Sequence, residues 1–251
     1  SRFEDMKAMM FAAGLGTRLR PLTNDRPKAL VEVGGKTMLE HTITHLKNAG
    51  FNHLVINIHH FGQQILDYLA QNNNFGVQID ISDERDYLLD TGGAIKKAQP
   101  FLQNEPFLIH NVDILSNADL KEIYVNHVES GALASLVVSR RDSARRLLFN
   151  AQNQLTGWTN IQTGEIKTFY PLKDYDPKSQ QSFSFSGIHV MSPRIFDYME
   201  DWTGKFPIIQ FYLSICPKTE IRPHVVDHLQ LIDMGKPETL QEAEAWLKEN
   251  R

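Results

Sequence analysis

Between residues 6 and 138, short apolar runs of strand length alternate with segments whose apolar residues recur at helical spacing. Residues 7–13, 54–58, 77–81, 107–110 and 132–138 have the strand character, and residues 37–48, 62–71, 94–102 and 119–130 have the helical period. Ile65, Leu66 and Leu69 carry that period in one segment, and Gly50 follows another at the place where a helix stops. Such βαβα order with short connections predicts an α/β fold, a mainly parallel sheet covered by helices. Ligands of such sheets bind at the carboxyl ends of the strands. Segments 14–28, 59–60, 83–93 and 111–113 all follow predicted strands, so they are expected to meet along one edge.

After residue 139 the rhythm changes. Residues 147–150, 154–158 and 165–169 are short strand candidates separated by polar residues and Gly, the pattern of antiparallel ribbons. A stronger strand is expected over 183–190, helices over 193–200 and 207–213, a last sheet strand over 229–233 and a closing helix over 239–248. A chain of 251 residues can bury a full core, and neither an internal repeat nor a long linker interrupts it, so one domain is expected over residues 1–251.

The formal net charge of −4 gives no general support for a polynucleotide partner. Cys216 is the only cysteine, which excludes an internal disulfide and a thiolate metal cluster. No run of eighteen apolar residues and no signal peptide is seen, so cytoplasmic residence without a membrane partner is the expectation.

The chemistry is concentrated in residues 9–28. An apolar run leads into Gly14 and Gly16, and Arg18, Arg20, Arg26 and Lys28 follow closely. Glycines allow a sharp turn that presents backbone N–H groups, and the cations then complete a cradle for a polyanion, with phosphate the first candidate. A solvated basic loop would account for the charges but not for glycines placed just before them. A dinucleotide fingerprint would need Gly where Leu19 stands, and no Gly-Lys-Ser/Thr triplet follows this strand. Neither nicotinamide binding nor simple ATP hydrolysis is therefore favoured.

Asp113 and Asp233 each follow an apolar run and are expected at the same rim. Two carboxylates beside a phosphate loop suit Mg²⁺, which takes oxygen ligands and completes its shell with phosphate and water. The competing reading is that each Asp caps the loop after it. Arg18 offers a planar fork for two phosphate oxygens and Lys28 a mobile point charge; both oppose the charge that builds during phosphoryl or nucleotidyl transfer. In residues 90–94 a small turn with Gly92 and Gly93 would let a base or ribose lie against backbone N–H groups, the alternative being a plain loop with Thr91 as helix N-cap. His59 and His60 lack a conveniently spaced third ligand, so zinc is not expected, and no GxSxG or HExxH motif is present.

Taken together, Gly14-Leu15-Gly16-Thr17-Arg18-Leu19, then Pro21, Thr23 and Pro27-Lys28, resembles the signature of the sugar-1-phosphate nucleotidyltransferases. Further matches follow in order: Val31-Glu32-Val33 with Lys36 and Met38, residues 89–93, Asn111-Val112-Asp113, residues 185–188 and residues 233–238. The resemblance implies a Rossmann-like, mainly parallel mixed sheet flanked by helices, the nucleotide-diphospho-sugar transferase fold, with a small antiparallel sugar-binding region. It implies a nucleotide-binding half over 6–138 and a sugar-binding half over 139–251. It also implies nucleotide contacts from Ala13, Gly14, Gly16, Thr17, Arg18, Lys28, Asp90, Gly92 and Gly93, with Arg18 and Lys28 catalytic. Mg²⁺ would be held by Asp113 and Asp233, and sugar contacts would come from Asn111, Glu165, Lys167 and Gly187.

The implied reaction is transfer of a nucleoside monophosphate from an NTP to a sugar 1-phosphate, giving an NDP-sugar and pyrophosphate. Residues 55–60 favour UTP over GTP or CTP, and the missing hexapeptide-repeat tail resembles short members that feed cell-wall or surface-glycan pathways. A monomer or homodimer is expected. The chain departs from the family pattern at Val112, at Thr37, in the run Gly235-Lys236-Pro237, and at Ile166, which separates the Glu165 and Lys167 pair. Two other readings share many of these residues: a cytidylyltransferase acting on a phosphorylated alcohol such as phosphocholine, and a non-catalytic sugar-nucleotide binding module.

Overall fold

The computed structural model describes residues 3–250. Contacts group them into two compact units, the first running through residue 88 and including 109–121 and the segment from 230, the second comprising 89–108 and 122–229. These borders differ from a division near residue 138, because strand pairing overrides chain order. Ala134–Ser139 pairs with Gln181–Met191 and Ile221–Val225, whereas Leu231–Asp233 returns to pair with Ile114–Ser116.

In the first unit Met6–Phe11 lies between Phe51–Ile58 and the part of Phe107–Asn111 that begins at residue 109, with Gln78–Asp83 beyond Phe51–Ile58. The pairs that Phe51–Ile58 makes with Met6–Phe11 and Gln78–Asp83 are parallel. Met6, Ala8, Met9 and Met10 are all buried, as expected of an inner parallel strand covered on both faces. Helix Met38–Asn48 starts where the Thr37 hydroxyl accepts the Glu40 N–H at 3.0 Å, buries Met38, Leu39, Ile43 and Leu46, and is followed by Gly50 at φ 98°. Helix Gly62–Gln71 has the bounds that its periodicity predicts.

The segment expected as a last sheet strand instead forms a separate two-stranded antiparallel ribbon, Leu231–Asp233 against Ile114–Ser116. The ribbon is held at one end by Met234 N–H to Asp113 O at 2.7 Å and at the other by Gln230 N–H to Asn117 Oδ1 at 2.8 Å. Three-residue strands carry too little pattern to reveal their partner.

In the second unit the strands run in the order Ile166–Lys167, Leu155–Asn160, Arg145–Phe149, Gln181–Met191, Ala134–Ser139, Ile221–Val225. The pairs are antiparallel except the last, which is parallel. Ile221–Val225 is invisible to a search for apolar alternation because Arg222, Pro223 and His224 interrupt it. The helix expected over 94–102 begins earlier and breaks in two, Asp90–Lys97 and Gln99–Leu102, with Pro100 unable to donate the hydrogen bond that would continue it. Residues 193–200 are not α-helical but a 3₁₀ segment, Pro193–Met199. Helix Ile208–Ile215 follows Pro207. The chain is thus a mixed parallel and antiparallel sheet structure flanked by helices. Among the described residues no helix is long and apolar enough to cross a membrane.

Two buried histidines make the second unit acid-sensitive. His127 sits between the Ser135 and Ser192 hydroxyls at 2.7 and 2.9 Å, and its pKa is lowered to about 3 by burial first and then by Arg222 and Arg194. His189, beside the Tyr212 hydroxyl at 2.6 Å, is lowered to about 3 by burial. The unfolded chain binds these protons near pH 6.5, so the stability contributed by the neutral rings is complete above that pH and is lost as pH falls toward 3. Each ring should cost about 1 kcal/mol between pH 7 and pH 5.5. Urea unfolding of His127→Gln at the two pH values should show a loss smaller than wild type by about that amount; equal losses would remove His127 from the account.

Candidate active site

The first unit assembles a charged cluster at the ends of its strands. Past Phe11 the backbone is pinned by Asn57, whose Oδ1 accepts the Ala12 and Ala13 N–H groups at 2.7 and 3.2 Å and whose amide donates to Glu84 Oε2 at 2.7 Å. The glycine loop then turns at Gly16, φ 66°, where the Thr23 hydroxyl donates to the Gly16 carbonyl at 2.6 Å and a Cβ would lie 2.7 Å from Thr23 Cγ2. A Cβ at Gly14 would stand 3.1 Å from Lys28 Nζ, so the bare backbone makes room for the lysine. Leu19 is buried within the 3₁₀ turn Thr17–Leu19 and anchors the loop, leaving Arg18 half exposed.

Asp113 is placed from three directions. The Val112 N–H donates to Phe11 O at 3.1 Å, the Thr42 hydroxyl donates to Val112 O at 2.8 Å, and the Met234 N–H donates to Asp113 O at 2.7 Å. The ribbon register pairs Asp233 with Ile114, which sets the second carboxylate beside the first. Lys28 Nζ donates to Asp113 Oδ2 at 2.9 Å, while Arg18 Nη2 lies 3.2 Å from Asp233 Oδ2 and 4.0 Å from Asp113 Oδ2. Arg18, Lys28, Asp113 and Asp233, distant in sequence, therefore form one cluster with two positive and two negative groups.

Gly235 belongs to this cluster and was not among the residues expected there. Its N–H donates to Asp233 Oδ1 at 2.7 Å, and a Cβ would stand 2.5 Å from Asp113 Oδ2, 2.9 Å from Asp233 Oδ1 and 3.1 Å from Arg18 Nη2. Its place two residues after Asp233 was the available sequence signal. Two oxygen donors with a wall that a methyl group would fill suit a small hard cation such as Mg²⁺. Among the described residues no group of three or more His, Cys, Asp or Glu side chains converges, so further ligands would be phosphate oxygens and water. His59 and His60 instead face backbone carbonyls, Glu84 O at 2.6 Å and Thr23 O at 3.3 Å.

In the second unit the structure corrects the expected use of Gly92 and Gly93. Their N–H groups donate to Phe206 O at 2.8 and 3.1 Å, so they are not free to cradle a ribose. A Cβ at Gly92 would lie 2.4 Å from the Phe206 ring and one at Gly93 2.4 Å from Gly204 O, so close packing within this unit explains both glycines. Thr91 is not the N-cap of its own helix either; its hydroxyl accepts the Ile208 N–H at 2.8 Å at the start of Ile208–Ile215. Asp90, at φ 61°, accepts the Thr91 N–H at 2.7 Å.

Glu165 and Lys167 line one cavity of about 850 Å³ together with Trp158, and Lys167 Nζ stands 4.6 Å from the centre of the Trp158 ring. Ile166, which stands between them in sequence, lines the same cavity. Gly187, at φ 84°, sits where the register of Gln181–Met191 against Ala134–Ser139 shifts. Asn111 ends its strand in the first unit, two residues before Asp113.

Residues 7–149, more than half of the chain, match the sequence profile of a family described as nucleotidyl transferase. The chain belongs to the nucleotidyl transferase family. It is 31% identical to N-acetylmuramate alpha-1-phosphate uridylyltransferase of Caulobacter vibrioides over 247 residues, 96% of this chain and 97% of that one. It is 29% identical to UTP–glucose-1-phosphate uridylyltransferase of Synechocystis over 204 residues, 77% of this chain and 51% of that protein. The same fold occurs in UDP-glucose pyrophosphorylase complexed with UDP-glucose, with a TM-score of 0.77, 16% identity and coverage of 98% of this chain and 100% of that one. It occurs also in HddC from Yersinia pseudotuberculosis complexed with GMP-PN, with a TM-score of 0.74, 22% identity and coverage of 96% and 99%. As a nucleotidyl transferase of the sugar-1-phosphate class, the chain is an enzyme of nucleotidyl transfer.

Proposed function

We propose that this enzyme transfers a nucleoside monophosphate from an NTP, UTP in preference to GTP or CTP, to a sugar 1-phosphate in a Mg²⁺-dependent displacement. The observation that carries the proposal is the convergence of Arg18 and Lys28 on Asp113 and Asp233 beside the glycine loop. Residues 6–138 supply the nucleotide contacts, from Ala13 to Arg18 and Lys28, and residues 139–251 supply sugar contacts from Glu165, Lys167 and Gly187; Asn111 is the sugar contact carried by the first stretch. Gly92 and Gly93, whose N–H groups already donate to Phe206 O, are assigned no hydrogen bond to the nucleotide.

Asp113 and Asp233 would hold Mg²⁺, which when bound offsets triphosphate charge. Lys28 is the mostly buried cation of the cluster and presents a compact, poorly screened point charge to the α-phosphate, and half-exposed Arg18 grips phosphate oxygens with its fork. An oxygen of the sugar phosphate attacks the α-phosphorus, the bond to the β-phosphate oxygen breaks, and pyrophosphate leaves with the electron pair. No side-chain nucleophile is required, because the acceptor brings its own ionised oxygen. The site's contribution is alignment and fixed positive charge.

Pyrophosphate release should be measured for five nucleoside triphosphates against hexose 1-phosphates, N-acetylmuramate 1-phosphate and phosphocholine, with and without Mg²⁺. The expected result is release with sugar 1-phosphates, fastest with UTP and abolished by EDTA. Release with CTP and phosphocholine alone would replace the reading, and tight NDP-sugar binding without release from any pair would make the protein a binding module.

A further inference from the structure

Next to the cavity that holds Glu165 and Lys167 lies a second one of about 560 Å³, and the two share Arg145, Trp158, Asn160 and Ile209 in their walls. The second cavity adds Arg141 and Arg146, so three arginines line it, and among the described residues no Asp or Glu does. Arg146 is held in place by its Nε donating to Ser143 O at 2.9 Å and its Nη2 pairing with Asp142 Oδ1 at 3.0 Å. The Asp142 side chain is 100% exposed, so water screens most of what it could neutralise. Arg141 and Arg145 make no ion pair among the described residues. Arg141 and Arg145 are exposed, so water also screens their mutual repulsion; what the cluster offers an anion is its geometry, because arginine forks match a carboxylate with two parallel hydrogen bonds. Trp158 and Phe185 add apolar surface beside the guanidinium groups, suited to the carbon side of a sugar substituent.

We infer that this arginine-lined cavity binds a carboxylate carried by the acceptor, so that the preferred sugar 1-phosphate bears a second anionic group on its ring. The inference rests on the proposed function for the assignment of the neighbouring cavity to the sugar. Glucose and mannose 1-phosphates lack such a group, whereas N-acetylmuramate carries a lactyl ether and a uronate carries its acid at C6. N-acetylmuramate 1-phosphate and N-acetylglucosamine 1-phosphate differ only in the lactyl ether, which makes them a matched pair, and glucuronate and glucose 1-phosphates form a second.

The test is calorimetric binding of both pairs to the full chain and to an Arg141→Gln/Arg145→Gln variant. It reads the affinity ratio within each pair, in which any general damage to the site cancels. The wild type should favour the carboxylate member of one pair about tenfold or more, and the variant should lose that preference; the pair concerned distinguishes a lactyl from a C6 acid. A wild type that does not discriminate in either pair overturns the inference, as does a variant that weakens both members equally, which would mean that the arginines hold the 1-phosphate. Because this readout needs no turnover, it stands apart from pyrophosphate release. A carboxylate preference without release would sink the proposed function alone, and release with neutral sugars and no preference would sink this inference alone.

Discussion

Replacing Asp113 with asparagine should lower nucleotidyl transfer at least a hundredfold while the fold survives. The substitution keeps the side chain's shape and an oxygen facing Lys28 Nζ, now 2.9 Å from Oδ2, but removes the negative charge. The Asp113 side chain is 10% exposed and that of Lys28 17%, so the pair is poorly screened and the lost charge is felt locally. A cation site reduced to Asp233 would hold Mg²⁺ weakly, and Lys28 would lose the partner that positions it. Loss of one such preorganised interaction with the transferring phosphate is worth about 3 kcal/mol, or roughly a hundredfold in rate. The three backbone bonds that position this turn do not involve the carboxylate, so urea unfolding should shift by about 1 kcal/mol. Pyrophosphate release measured at a Mg²⁺ concentration just sufficient for the wild type, beside the unfolding curve, decides the matter. Turnover within threefold of wild type would remove Asp113 from the metal role.

Gly235→Ala should have the next largest effect, through space rather than charge. Gly235 is not among the residues at positive φ, so alanine meets no backbone strain there. Its methyl group would instead stand 2.5 Å from Asp113 Oδ2 and 2.9 Å from Asp233 Oδ1, and both carboxylates must move away from it. Overpacking of this kind costs about 1–3 kcal/mol. Here the atoms displaced are the proposed cation ligands, so a rate loss of about thirtyfold is expected, about 2 kcal/mol in the barrier. Raising the Mg²⁺ concentration should restore part of it, a response that a global folding defect would not give. An alanine variant as active as wild type would mean that the carboxylates are not the working ligands in this geometry.

Much of the first unit was legible in the chain. Inner parallel strands are buried on both faces and so read as continuous apolar runs, and Met6–Phe11 and Phe51–Ile58 stand out for that reason. Helices such as Gly62–Gln71 carry their period in side chains that face the core. Cations and acids stood at strand ends, where an α/β sheet gathers its ligands. Less legible were elements whose partners lie far away in sequence. Ile221–Val225 contains Pro223 and two basic residues, and its strand character comes from pairing with Ala134–Ser139. Gly92 and Gly93 looked like a ligand turn because a pair of glycines signals close approach without saying what approaches; here it is Phe206 and Gly204.

By itself, then, the amino-acid sequence determined the layered α/β character, the family, and which cations and acids stand at strand ends, because burial pattern and residue chemistry are local properties. Tertiary structure alone decided that Asp233 reaches Asp113 through a short ribbon, that Gly235 closes the wall beside both, and that Phe185 and Ile209 complete a cavity around three arginines. Those outcomes depend on pairing register and on contacts between residues up to more than a hundred positions apart. A one-residue slip in such a ribbon would turn a carboxylate to the opposite face, and no local pattern of three residues specifies against it.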